Sequence, residues 1–324
     1  MTALRLSSDG RFLVAPLCLV LAVLAFGAAV PEFASIANLG NILAQMWVLA
    51  LLAVGQMFAL LTRGFDISVG AVAALAGTVA ALAANTFGLA PGLVLGAATG
   101  LACGLLNGLM VGALGIQPII ATLGMLVGAR GLALLVTDGG QAVPLAETGI
   151  AARLAYDAVL GLPPIAWIAL LLVGVAAWIL HGSVLGRRIV MLGSNPDGAW
   201  LVGIHPARVS AAAYGLCGLF AGFAGLLMTL RAGTGLPTEG TGMELQAIAA
   251  AVIGGTALTG GVGRVSGVVV GAAFVQVLFT GLNIAGISPF LAGVAVGVVI
   301  IGSGLLEYAL RHLFSPLEPN RRST

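Results

Sequence analysis

Between residues 33 and 129 the chain carries only two charged side chains, Arg63 and Asp66. A water-facing domain normally holds about a quarter charged residues, so a stretch of this length cannot cover a soluble surface. The whole chain has the same character: 7% of its 324 residues are charged, 60% are hydrophobic, and the mean hydropathy is +1.14. Its apolar residues fall into separate runs of roughly 17 to 25, the length with which an α-helix crosses the hydrocarbon core. The strict alternation of a membrane β-strand is not seen. The expected fold is an all-α polytopic membrane protein.

About ten transmembrane helices are expected, over 12–30, 41–62, 67–85, 89–113, 117–136, 163–181, 209–230, 244–262, 266–285 and 289–310. Pro31, Gly64, Pro91, Pro118, Pro163, Pro164, Pro206, Pro237 and Pro289 mark the breaks. The first run is signal-like in length, but no soluble stretch follows it, and it is read as an uncleaved span. Arg5 and Arg11 precede the first span, Arg187, Arg188 and Arg208 fall between the sixth and seventh, and Arg311, Arg321 and Arg322 follow the tenth. An even number of spans puts all three groups on one side, so the N and C termini are expected in the cytoplasm. Segments 138–161 and 231–243 then face outward, with Asp138, Glu147, Asp157 and Glu239 against Arg153 and Arg231. Much of the glycine, 49 residues, lies beside alanine in the apolar runs. Small residues let helix backbones approach closely in lipid, which predicts a tight bundle. Cys18, Cys103 and Cys217 lie in apolar runs without metal spacing and are read as small core residues.

The longest polar insert is "GSVLGRRIVMLGSNPDGAWLVGIHPARV", residues 182 to 209. It contains a compact helix signal. Ser194 or Asn195 suits the cap, Pro196 the first helical position, Asp197 the positive N-terminal end and Gly203 the left-handed stop. About two turns follow, with Trp200, Leu201 and Val202 as apolar surface on the cytoplasmic side. Two readings stand at this point: a helix lying on the lipid surface, or a docking helix for a cytoplasmic partner.

Within this insert, Gly186, Arg187, Gly193, Asn195, Ala199, Gly203 and Ile204 resemble the ATPase-coupling segment of ribose-type ABC importer permeases, relatives of the branched-chain amino acid permeases. Three further stretches resemble the same family in the same order: "RGFDISVG" at 63–70, "GLLNGLMVGALGIQPIIATLGMLVGARGLA" at 104–133, and "GMELQAIAAAVIGGTALTGGVGRVSG" at 242–267. Gln117, Ile119, Met191 and Gln246 depart from the family's common residues, Gln246 standing where an Asp is frequent.

The resemblance implies a single transmembrane permease domain over 1–324, with a coupling segment at 182–208 and a cytoplasmic tail at 312–324. It implies the multi-pass bacterial inner membrane, a second permease copy in a homodimer or pair, surrounding lipid and a solute-binding protein. It also implies a separate ABC ATPase subunit that binds ATP and Mg. In keeping with that division, the chain has no Gly-rich loop ending in Gly-Lys-Ser/Thr and no lysine at all. No catalytic residue, metal cluster, bound cofactor or nucleic-acid partner is expected.

Candidate pathway residues are Asp66, Asn107, Gln117, Thr122, Arg130, Glu244 and Asn283. Asp66 either caps a plain cytoplasmic turn, three residues from a pairing partner in Arg63, or holds a broken segment whose polar groups are matched internally. Arg130, well inside the fifth span, needs a pairing partner or a hydrated cavity. Asn107, Gln117, Thr122 and Asn283 either bond between helices, at about 0.6 kcal/mol each, or face the solute. Glu244 opens the eighth span, where a carboxylate suits a helix N-terminus. A pathway this sparse in fixed charge suits a neutral, hydroxyl-rich solute, and the resemblance implies a sugar, most simply a monosaccharide, as the family's commonest substrate class. An autonomous secondary transporter or channel, and the branched-chain amino acid branch, are the alternatives.

Overall fold

The computed structural model describes residues 2–288, with 291–295, 297–298 and 301–302. The expected tenth span, 289–310, falls largely outside the described residues, and the tail 312–324 lies wholly outside them. Among the described residues eight helices are long and apolar enough to cross a membrane. They are α1 (Thr2–Ala29, apolar from Phe12), α2 (Ile36–Leu61), α3 (Val69–Phe87), α4 (Leu89–Gly112), α5 (Pro118–Leu135), α7 (Pro164–Gly182), α10 (Pro206–Ala232) and α12 (Val265–Ile284). Shorter helices are α6 (Thr148–Tyr156), α8 (Val184–Ser194), α9 (Pro196–Leu201) and α11 (Met243–Ile253). The chain is an all-α, multi-pass membrane protein.

The residues of α2 from 47 to 61 are all buried, and α10 is buried along most of its length. A helix apolar on every side belongs at the centre of a bundle, and α2 and α10 form that centre. The outward faces of α1, α4, α5 and α7 expose large apolar side chains such as Leu17, Leu106, Val127 and Trp178, as a lipid-facing surface must.

Close packing rests on a ladder in α4, where Gly92, Gly96, Gly100, Gly104, Gly108 and Gly112 recur every fourth residue. Four residues make one helical turn plus about 40°, so the ladder winds slowly around the helix. At Gly92 it meets Ala80 and Ala84 of α3; from Gly100 onward it meets α10. A Cβ on Gly104 would stand 2.2 Å from the Tyr214 carbonyl oxygen, and one on Gly218 2.3 Å from that of Gly100. The two backbones therefore touch where any side chain would hold them apart.

Two features break the simple up-and-down pattern. First, the turn at 62–68 between α2 and α3 is recessed. It lies beside Tyr214, the ninth residue of α10, and Asn107, the sixth from the end of α4. At 1.5 Å per residue these sit about 12 Å and about 8 Å inside their helix ends. Second, the expected eighth span over 244–262 is not one helix. After α10 the chain pairs β2 (Thr234–Gly235) with β1 (Val143–Pro144), then runs without regular structure until Gly240 lies against Gly70 of α3. Only there does α11 begin. It stops at Ile253, and the 254–264 segment turns beside Leu61, where the Gly261 N–H donates to the Leu61 carbonyl at 3.0 Å. Gly242, Gly255, Gly260 and Gly261 all have positive φ here, conformations that side-chain-bearing residues disfavour.

Candidate functional site: a buried turn, an exposed helix and a polar cavity

The expected helix within the polar insert forms as α9. Asn195 caps it by accepting from the Gly198 N–H at 3.0 Å, and Pro196 occupies its first position. It closes with the Gly203 N–H donating to Trp200 and the Ile204 N–H to Ala199, Gly203 having φ 79°. That pair of bonds is a Schellman stop. Ala199 is fully buried and seats the helix, while Trp200, Leu201 and Val202 are 68%, 77% and 63% exposed. Three adjacent apolar side chains stand free at the end of a short, well-capped helix.

Its anchorage is specific. The Arg63 Nε donates to the Gly193 carbonyl at 2.6 Å and Nη2 to that of Ser194 at 3.1 Å, the last two residues of α8. Gly193 fits so tightly that an added Cβ would stand 1.7 Å from the Leu61 carbonyl oxygen. Gly186 is buried against the end of α7, where a Cβ would meet the Leu180 carbonyl at 2.2 Å, and Arg187 is exposed. The coupling candidates are thus brought together in one segment, α8–α9, docked on the 62–68 turn.

Arg63 and Asp66 do not pair, contrary to the helical-turn expectation. Arg63 has φ 65°, which turns its side chain toward α8, and Asp66 points into the bundle. There one Asp66 carboxylate oxygen accepts from the Ser68 N–H (2.8 Å) and from the Ser68 hydroxyl. The other accepts from the Asn107 side-chain amide at 3.1 Å. Gln56, fully buried, has its amide beside the Asp66 backbone, 2.9 Å from the carbonyl oxygen and 3.2 Å from the nitrogen. The Tyr214 hydroxyl donates to the Phe65 carbonyl at 3.3 Å. Asp66 is thus matched internally, by Ser68 of the turn itself, Gln56 of α2 and Asn107 of α4.

Arg130 likewise bonds to backbone, donating to the carbonyls of Pro237 (2.7 Å) and Glu239 (2.8 Å), so it holds the irregular segment ahead of α11. Glu244 lies in the first turn of α11, where it accepts from the Gly242 N–H at 3.2 Å. Thr122 is buried and bonds within its own helix to Pro118. Gln117 is exposed before α5, and Asn283 is exposed at the end of α12. Arg130 and Glu244 lie near enough to act on each other electrostatically, but Thr122, Gln117 and Asn283 do not join them in one site.

A different set converges. A cavity of about 520 Å³ is walled by Gln45 and Val48 of α2, Tyr156 of α6, Met228, Arg231 and Ala232 of α10, Glu239, Met243 and Gln246 leading into α11, and Gln276 and Phe279 of α12. Gln276 donates to the Gln45 side-chain oxygen at 3.1 Å and to the Thr280 hydroxyl at 3.0 Å. The Tyr156 hydroxyl donates to the Arg231 carbonyl at 2.7 Å. The one sequence signal toward this set is Gln246, a noted departure from the family pattern; Gln45 and Gln276 are amides inside apolar spans with no local motif around them.

The family described as "Branched-chain amino acid transport system / permease component" matches residues 38–304. The chain belongs to this permease family. Among relatives, the ribose import permease protein of Escherichia coli K12 is 39% identical over 290 residues, 86% of this chain and 87% of that one. The ribose import permease protein of Bacillus subtilis is 37% identical over 279 residues, 86% of each chain. The D-allose transport system permease protein of E. coli K12 is 34% identical over 301 residues, 89% of each. No solved structure matches. As a permease component, the chain is the membrane-spanning transport subunit of an ABC importer rather than an enzyme.

Proposed function

We propose that this permease imports a monosaccharide, delivered from outside by a solute-binding protein and driven by a separate ATPase subunit that binds ATP and Mg. The observation that carries this reading is α9. Its exposed Trp200, Leu201 and Val202 form a short apolar anchor of the kind that inserts into a partner's groove, and the Arg63 bonds to Gly193 and Ser194 tie that anchor to the core. The sugar reading draws on the ribose and allose permeases among its relatives and on the scarcity of fixed charge along the spans.

The proposed topology keeps ten crossings in the bacterial inner membrane, with both termini cytoplasmic. In it the eighth crossing is the irregular segment before α11 together with α11 itself, and 289–310 supplies the tenth. A second permease copy completes the pore.

The test is purification of the native complex in mild detergent, followed by identification of what co-purifies. A Walker-motif ATPase is expected with the wild-type chain and is expected to be lost with Leu201→Asp. Leu201 is 77% exposed, so the change costs no core packing. An ATPase retained by the variant, or a wild-type chain that moves sugar in liposomes without ATP, would overturn the reading.

A further inference from the structure

We infer that the 520 Å³ cavity beside the start of α11 is a solute-recognition site within the permease itself, built for one neutral, polyhydroxylated ring. The inference deepens the sugar-import reading and rests on it.

The chemistry of the wall is the first argument. Gln45, Gln246 and Gln276 come from three different helices, and each amide offers both a donor and an acceptor. A sugar hydroxyl is likewise donor and acceptor, so amides meet it without the mismatch that a row of like charges would impose. Charge is the second argument. The cavity carries one cation, Arg231, and one anion, Glu239, near enough to act on each other electrostatically. Their formal charges cancel, so the cavity has no net formal charge to favour a cation or an anion. Third, the rings of Tyr156 and Phe279 give the wall apolar faces, matching the C–H face of a sugar ring.

Size and placement agree. Small-molecule sites occupy roughly 300–1,000 Å³, which accommodates a monosaccharide with a few waters. The wall is also held firmly: Arg130 grips the carbonyls on either side of Thr238, Tyr156 grips that of Arg231, and Gln276 fixes Gln45.

The experiment uses the native complex, with its ATPase and binding protein, in proteoliposomes. Uptake of radiolabelled D-ribose and D-allose is measured first. A diazirine derivative of whichever sugar is taken up is then photolysed during turnover, and the labelled peptides are mapped by mass spectrometry. Label is expected around 243–246 of α11 or 276–279 of α12. Gln45→Ala and Gln246→Ala are each expected to lower both labelling and initial uptake about tenfold. Gln45 is exposed but accepts from the buried Gln276 at 3.1 Å, so thermal unfolding of both variants is measured alongside uptake, and an unchanged midpoint separates lost recognition from lost packing. Label confined to other segments, or wild-type uptake by both variants, overturns the inference. Failure of the wild-type complex to take up any sugar overturns the reading beneath it.

Discussion

Asp66 is a residue whose meaning changes with its surroundings. A carboxylate in a short turn between two spans is unremarkable in sequence, but here it is 1% exposed and bonded to Ser68 and Asn107. Leaving a buried charge without its partners is far costlier than placing the same residue in a solvated turn. Asn107 donates to both the Asp66 carboxylate and the Ser68 hydroxyl. Asn107→Leu, close in volume but without the amide, is therefore expected to destabilise the protein by about 1–3 kcal/mol. Thermal unfolding of the detergent-solubilised chain, followed by near-UV circular dichroism, measures it. An unchanged midpoint would mean that the carboxylate finds other partners at no cost.

At the scale of elements, the 62–68 turn is the shared part between two regions. Its inner side holds Asp66 against α4, and its outer side holds α8 through Arg63. Under the proposed reading, a push on α9 would reach the bundle through the 62–68 turn. Arg63→Ala is expected to leave the ATPase bound, because α9 keeps its own cap and stop, while sugar moved per ATP falls by at least about tenfold, since two charge-assisted bonds are lost. Arg63→Lys, which retains a donor but not the fork, should recover part of the ratio. The check is parallel measurement of uptake and phosphate release in proteoliposomes; a proportional fall in both would assign Arg63 to folding alone.

For the whole molecule, the packing puts the exposed α9 and the 254–264 turn at one end, and the paired strands β1 and β2 with α6 at the other. Arginine placement predicts a polarity in keeping with these two ends, with 182–208 inside and 138–161 outside. In a background with Cys18, Cys103 and Cys217 replaced, a membrane-impermeant thiol reagent added to intact spheroplasts is expected to label Asp157→Cys and not Asp197→Cys. Both positions are exposed, so accessibility reports the side of the membrane. Inside-out vesicles should reverse the pattern, and labelling of Asp197→Cys from outside would invert the proposed topology.

What the sequence determined by itself were the features set within a turn or two of chain. Apolar runs of membrane length gave the all-α class, and Asn195, Pro196 and Gly203 gave the start and stop of α9, because caps and helix periodicity are local. Four ordered motifs gave the family. Tertiary structure alone decided the direction in which Arg63 and Asp66 diverge, since the partners of Arg63 lie about 130 residues away in α8. It also decided that the chain is irregular ahead of α11, where Gly240 packs on Gly70 and Arg130 holds two carbonyls. The cavity was the least legible of all. Its glutamines are separated by as many as 231 residues, and a single amide in an apolar helix looks the same in sequence whether it joins two helices or faces a solute. Only the packing of α11 against α2 and α12 brings them to one wall.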